Sequence, residues 1–218
     1  MSCFIPMKIT LFLEDGLCKL SDMPCDSILA KLYFQQQINL NKFNGDYKQQ
    51  LPFLKFSDGI YHTSKPNYTI SHISNEIITK KFDYKYFIAL NGDISSQKTL
   101  SNKVSGRYKN HIISYEVIFT KEIVYYINGD IDIVKNLLKN LNYIGKKTAL
   151  GWGKISKITI DEIDNDLSLF KNNIPNRHLP NIKKYKTKNM ALLNIPLIHP
   201  YWEVTDELSL IYIGVHNE

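Results

Sequence analysis

The sequence contains no apolar run long enough to cross a membrane. Its opening, MSCFIPMKITLFLEDG, has no basic start and no small-residue cleavage site, and it meets an acidic pair within fifteen residues. It therefore reads as a strand and not as a signal peptide, which suits a cytoplasmic chain. Cysteine is scarce. Cys3, Cys18 and Cys25 form an odd set with no CxxC spacing, which argues against a disulfide framework and against a zinc site. Idle or buried thiols in a reducing compartment fit better. No HxxxH, HD or acidic cluster suggests a metal site, and no metal or cofactor is expected. The glycines match neither GxxxxGK[ST] nor GxGxxG. No repeat of fixed period stands out. Acid is missing from two long stretches: between Asp93 and Glu116, and from Leu167 to Trp202.

The 218 residues suffice for one large domain or two small ones, and 44% hydrophobic with 22% charged content is that of a folded chain. Lys and Arg total 27 against 21 Asp and Glu, a net charge of +6, so a polyanion is a plausible partner. The positive charge gathers where acid is missing. Lys98, Lys103, Arg107 and Lys109 lie in the weakly apolar window 95–111, which reads as an exposed loop or thumb. Lys171, Arg177, Lys183, Lys184, Lys186 and Lys188 lie in the tail, which Pro175, Pro180, Pro196 and Pro200 break into extended pieces.

Periodicity supplies the elements. MKITLFL (7–13) reads as a strand. In 21–37, Ser21 or Asp22 can cap a helix, Pro24 suits its first turn, Asp26 suits its positive end, and Cys25, Ile28, Leu29 and Leu32 share a face. Asp58-Gly59 signals a hairpin. Residues 114–130 read as one long strand or a tight pair. Asn128 or Asp130 can then cap a helix whose face carries Ile131, Val134, Leu137, Leu138 and Leu141. Residues 153–163 read as a strand. The order fits an α+β chain with a ferredoxin-like (RRM-like) β-α-β-β-α-β core. Residues 1–37 and 112–165 form that core, 38–111 a large insertion with the basic thumb, and 166–218 a basic C-terminal extension.

The stretch YIGKKTALGWGKI (143–155) joins the last core helix to the last core strand. It packs Gly145, Gly151 and Gly153 beside Lys146, Lys147, Lys154 and Trp152. Glycines permit positive φ and close backbone approach. Successive N–H groups can form a nest for phosphate oxygens, and Trp152 offers a stacking face. The same residues also suit a helix C-cap at Gly145, a bulged turn at Gly151 and Gly153, and a core or lid position for Trp152. Of the six histidines, none forms a spaced pair with a carboxylate or cysteine. His111, beside GRYKN, is the best candidate for a general base and His62 the next, against a surface or simply hydrogen-bonded role for each.

Gly145, five residues, then Gly151-Trp152-Gly153 resembles the glycine-rich loop of the CRISPR-associated RAMP superfamily, in spacing and in place between the last helix and strand. DSILAKLYF (26–34), SGRYKNH (105–111), VYYINGDIDIVKNLL (124–138) and HPYW (199–202) resemble one branch, the type IV effector subunit that holds the 5′ handle of the guide RNA. The resemblance covers most of the chain and is patchy between about residues 36 and 86. It implies a non-catalytic, RNA-binding cap on a guide-RNA ribonucleoprotein for antiviral defence. Its partners would be the guide RNA, a backbone-forming subunit and a large subunit, with target DNA engaged indirectly and no membrane. In a thumb of this kind, Arg107 and Lys109 would contact phosphates and Tyr108 could stack, with Lys98 and Lys103 also binding RNA. Relatives in the superfamily include metal-independent endoribonucleases that cut repeat RNA, which is the rival reading. A third is a plain interaction protein, supported by fourteen tyrosines and ten phenylalanines.

Overall fold

The structure is a computed structural model that describes residues 4–15, 17–18, 22–80, 111–201, 206 and 208–213. Helices and strands are mixed and strands dominate, with two α-helices among the described residues. In chain order these are β1 (Ile5–Leu13), β2 (Leu17–Cys18), α1 (Cys25–Asn39), the hairpin of β3 (Phe56–Ser57) and β4 (Ile60–Tyr61), β5 (His72–Lys80), β6 (His111–Phe119), β7 (Glu122–Gly129), α2 (Ile131–Leu138) and β8 (Ile155–Glu162). The tail adds β9 (Phe170–Lys171), β10 (Ile174–Pro175), β11 (Leu179–Pro180), β12 (Met190–Leu193) and β13 (Ser209–Tyr212).

β1 lies between β7 and β8, antiparallel to both. Alternation along a strand sends every second side chain to one face. Met7, Ile9 and Leu11 of β1 thus stand opposite Ile127, Tyr125 and Ile123 of β7, and all six are buried. On the other flank Ile9 meets Ile160 and Leu11 meets Ile158. α1 and α2 pack against each other and cover this face with Leu29, Ala30, Phe34, Val134, Leu137 and Leu138. Beyond β7 the chain between residues 54 and 67 continues the antiparallel order through single bridges, Leu54 to Gly129, Thr63 to Ile127 and Asn67 to Val124. That segment also sends Leu51, Phe53, Leu54 and Tyr61 into the same core.

The helix starts differ in how their free N–H groups are satisfied. Asp130 caps α2 as its sequence indicates, its side chain accepting from Asp132 N and Ile133 N at 3.1 Å each. At α1 the N-cap is Pro24 and no side chain caps it, so the helix begins later than a cap at Asp22 would place it. A neighbouring segment supplies the missing acceptor: Cys25 N donates to Ser64 O at 3.0 Å. Residues 114–130 resolve into a pair, β6 and β7, and Asp58-Gly59 turns the β3–β4 hairpin. β5 and β6 form a long ribbon in register from His72–Phe119 to Lys80–His111, and β2 adds to its β6 edge through Leu17–Ile118 and Cys18–Val117.

A second, smaller core lies in the tail. Ile60 packs there with Leu169, Leu179, Tyr185 and Leu210 around the β11–β13–β12 sheet. One buried ion pair joins the two cores. Arg177 and Asp26 have fully buried side chains 3.6 Å apart. Arg177 donates to the carbonyls of Tyr61, Thr63, His178 and Leu197, and to the hydroxyls of Thr63 and Tyr201. Asp26 accepts from Thr63 Oγ1 at 2.6 Å and from Tyr201 OH at 2.7 Å.

Two variants test this construction. A Cβ at Gly129 would lie 2.6 Å from the Phe53 carbonyl oxygen, a backbone atom that itself accepts from Asp130 N at 2.8 Å. Gly129→Ala should therefore cost about 1–3 kcal/mol in urea unfolding, and an unchanged midpoint would refute the close approach. Arg177→Ala leaves a buried carboxylate without its cation and should cost about 3–5 kcal/mol. A loss under about 1 kcal/mol would show that the pair is dispensable.

Candidate nucleic-acid interface

Residues 142–155 form a loop closed at its base. Tyr143 bridges to Lys154, Ile144 N donates to Gly153 O at 2.9 Å, and Ile155 N donates to Asn142 O at 2.9 Å. Ile144 is buried and roots the loop in the main core. Above the base the backbone turns through left-handed conformations at Gly145 (φ 89°), Lys147 (φ 63°), Gly151 (φ 87°) and Gly153 (φ 69°). A short 3₁₀ turn, Thr148–Leu150, sits between them, and Gly151 ends it by donating its N–H to Thr148 O at 2.9 Å. α2 ends at Leu138, so Gly145 lies well past its C-cap. A Cβ at Gly151 would meet no atom within 4 Å. The demand for glycine there is one of backbone conformation, and the space in front of the peptide is open.

The loop docks on the ribbon. Lys147 Nζ lies 4.8 Å from the centre of the Tyr115 ring in β6, and Trp152 meets the same ring edge-on at 6.0 Å. Trp152 is half-buried, intermediate between a core side chain and an open platform. Lys146 is exposed. Lys154 forms an ion pair with Glu14 at 2.9 Å, and that hydrogen bond raises its pKa above the ordinary lysine value. Part of its charge is thus answered within the chain. Beside the loop runs a groove of about 770 Å³ between α1 and residues 143–148, with Phe34, Tyr125 and His199 among its walls. Lys31 and Lys146 line it, and no described Asp or Glu does.

The other expected RNA contacts, Lys98, Lys103, Arg107, Tyr108 and Lys109, lie outside the described residues. The ribbon nevertheless brings the two ends of that segment together, since Lys80 pairs with His111. Tyr115, four residues beyond His111, then links the ribbon to the glycine loop. Sequence reasoning did not single out Tyr115. Its only signal was an aromatic residue within an apolar strand, the same as that of many tyrosines in this chain.

His62 occupies a different place. It is buried, its Nδ1 lies 2.9 Å from Asp166 Oδ2, and its Nε2 lies 2.8 Å from Ser57 Oγ. Asp166 comes 104 residues later, so no local spacing could reveal the pair. Asn128 Nδ2 donates to the same carboxylate at 2.8 Å, Ser168 donates through its N–H and its hydroxyl, and Lys55 Nζ is 3.7 Å away. Burial opposes the ionisation of Asp166, but the hydrogen bonds from His62, Ser168 and Asn128 outweigh it and hold the carboxyl well below the usual carboxylate range. Among the described residues no group of three or more His, Cys, Asp or Glu is placed to hold a metal ion.

A depressed carboxyl pKa contributes stability above the unfolded-state value, and that stability is lost as pH falls toward the folded value. The difference in urea midpoint between the parent and Asp166→Asn should therefore be full near neutrality and shrink progressively below a pH of about 4. A difference that stays constant down to strongly acid solution would contradict the assigned network.

No helix among the described residues is long and apolar enough to cross a membrane. No curated protein matches the chain. One family model does, spanning residues 6–212 and thus the sheet, both helices, the glycine loop and the tail. On that match the chain belongs to the family of CRISPR type IV associated protein Csf3, and so to the components of type IV CRISPR complexes.

Proposed function

We propose that this chain is the guide-RNA-gripping subunit of its type IV effector complex, holding the 5′ handle and capping the filament of backbone subunits without cutting the RNA. The sheet order β8–β1–β7, extended by residues 54–67 and covered on one face by α1 and α2, is read as a ferredoxin-like core of the RAMP kind. The guide RNA, a backbone-forming subunit and a large subunit are its proposed partners, with target DNA engaged indirectly and the cytoplasm as its site of action.

The observation that carries this reading is the contact of Lys147 and Trp152 with Tyr115. It sets the glycine loop against the stem that leads into the basic window 95–111. The glycine loop and β6, the strand that follows that window in sequence, thus share one neighbourhood. A single strand of RNA could run across both, with phosphates at the left-handed turns and bases against the aromatic rings. The place of His62 supports the non-nuclease part, since it does not line the groove beside the glycine loop and its ring is bonded to Asp166 and Ser57; the side chain of His111 lies outside the described ones.

The test compares two loop variants for handle RNA binding across a salt series. Lys146→Ala should lower the salt slope by about one unit and leave the fold unchanged. Gly151→Val forces a β-branched residue into a left-handed backbone and fills the open space before the peptide. It should lose most affinity at every salt concentration, with circular dichroism confirming the fold. If a well-folded Gly151→Val chain binds handle RNA as tightly as the parent, the glycines are turn residues only and the cradle is elsewhere. Cleavage of repeat RNA by the purified chain in the absence of metal would favour the endoribonuclease instead.

A further inference from the structure

We infer that Ser57, His62 and Asp166 form a nucleophilic triad, with Ser57 poised to attack a carboxylic ester. The inference is independent of RNA binding, since none of the three lines the groove beside the glycine loop.

The proton positions follow from the partners. An ionised carboxylate can only accept hydrogen bonds. Asp166 is held ionised, so the 2.9 Å contact requires His62 to carry its proton on Nδ1. In the neutral imidazole Nε2 is then a bare acceptor. Ser57 Oγ at 2.8 Å must donate to it. This is the tautomer in which an imidazole can take a proton from a serine hydroxyl.

Each member is fixed by elements other than the triad. Ser57 precedes the tight turn of the β3–β4 hairpin, whose central residues Asp58 (φ 53°) and Gly59 (φ 79°) are both left-handed. The Asp58 carboxylate is taken up by Lys184 and Tyr185. The His62 backbone is pinned on both sides, its N–H to Lys55 O and its carbonyl to Asn128 N, each at 2.9 Å. Asp166 is oriented by Asn128 and Ser168. Ser57 is half-buried and so in reach of solvent, and Lys55 places a cation beside the carboxylate. Such support from surrounding bonds is what holds a reactive constellation in place.

A carbonyl ester suits this set because one imidazole serves both halves of the exchange. Ser57 Oγ forms a bond to the carbonyl carbon while its proton passes to His62 Nε2. The bond to the alkoxide breaks, and the imidazolium returns the proton to that leaving group as the alcohol departs. Water, deprotonated by the same nitrogen, then attacks the acyl carbon; the bond from that carbon to Ser57 Oγ breaks, the imidazolium returns the proton to Oγ, and the carboxylic acid departs.

A fluorophosphonate probe tests the nucleophile on the full chain, with the adducts located by peptide mass spectrometry. Ser57 should be labelled at least about 100-fold faster than Ser156, an exposed serine in the same molecule. His62→Gln should bring Ser57 down to the rate of Ser156. The parent carries its own reference serine, so the result does not depend on a variant folding. Ser57 labelled no faster than Ser156 in the parent, or equally fast in a folded His62→Gln chain, overturns the triad. For the ester class, the parent should release p-nitrophenol from p-nitrophenyl acetate at least about 10-fold faster than Ser57→Ala, and equal rates overturn that assignment.

Discussion

The ion pair between Asp26 and Arg177 is the joint on which the arrangement of the chain turns. Two charges removed from water cost several kcal/mol each unless they are closely matched and hydrogen-bonded. Here the guanidinium is met by four carbonyls and two hydroxyls as well as by the carboxylate. These partners come from the first turn of α1, the strand end at Tyr61–Thr63 and the stretch 178–201. The same bonds that offset the desolvation therefore fix where the tail lies on the sheet. A shifted tail would strand a charge in an apolar interior.

That joint also changes the meaning of the acid-free tail. Counted along the sequence, its six basic residues suggest an open positive surface. In the structure Arg177 is wholly internal, Lys184 is bonded to Asp58, and Lys171 lies over the ring of Tyr126 at 5.0 Å. The acids and rings that answer these charges come from other segments of the chain. A charge run in sequence is thus an upper limit on the charge a partner meets.

What could be read from the sequence follows the range of the interaction that decides it. β1, α2 and its Asp130 cap, the Asp58-Gly59 hairpin and the loop at 145–153 rest on neighbours within a few residues, and periodicity or turn chemistry exposes them. The start of α1 was less legible because its acceptor, Ser64 O, comes from a distant segment. Tyr115 against Lys147 and Trp152, and His62 against Asp166, depend on contacts separated by tens of residues or more. Neither leaves a local trace. The place of residues 51–67 beside β7 was hidden for the same reason, since its bridges to β7 are single and carry no strand pattern.

The closed base of the glycine loop has a further consequence. Asn142–Ile144 and Gly153–Ile155 are tied to each other before the chain enters β8. The ends of the loop stay together whatever lies between them, and the entropic cost of a longer or shorter interior rises only slowly with length. The segment from Lys146 to Trp152 therefore behaves as an exchangeable cartridge. Its length and composition can drift while the helix before it and the strand after it keep their register, so recognition can diversify on a scaffold that does not have to be refolded to accommodate it.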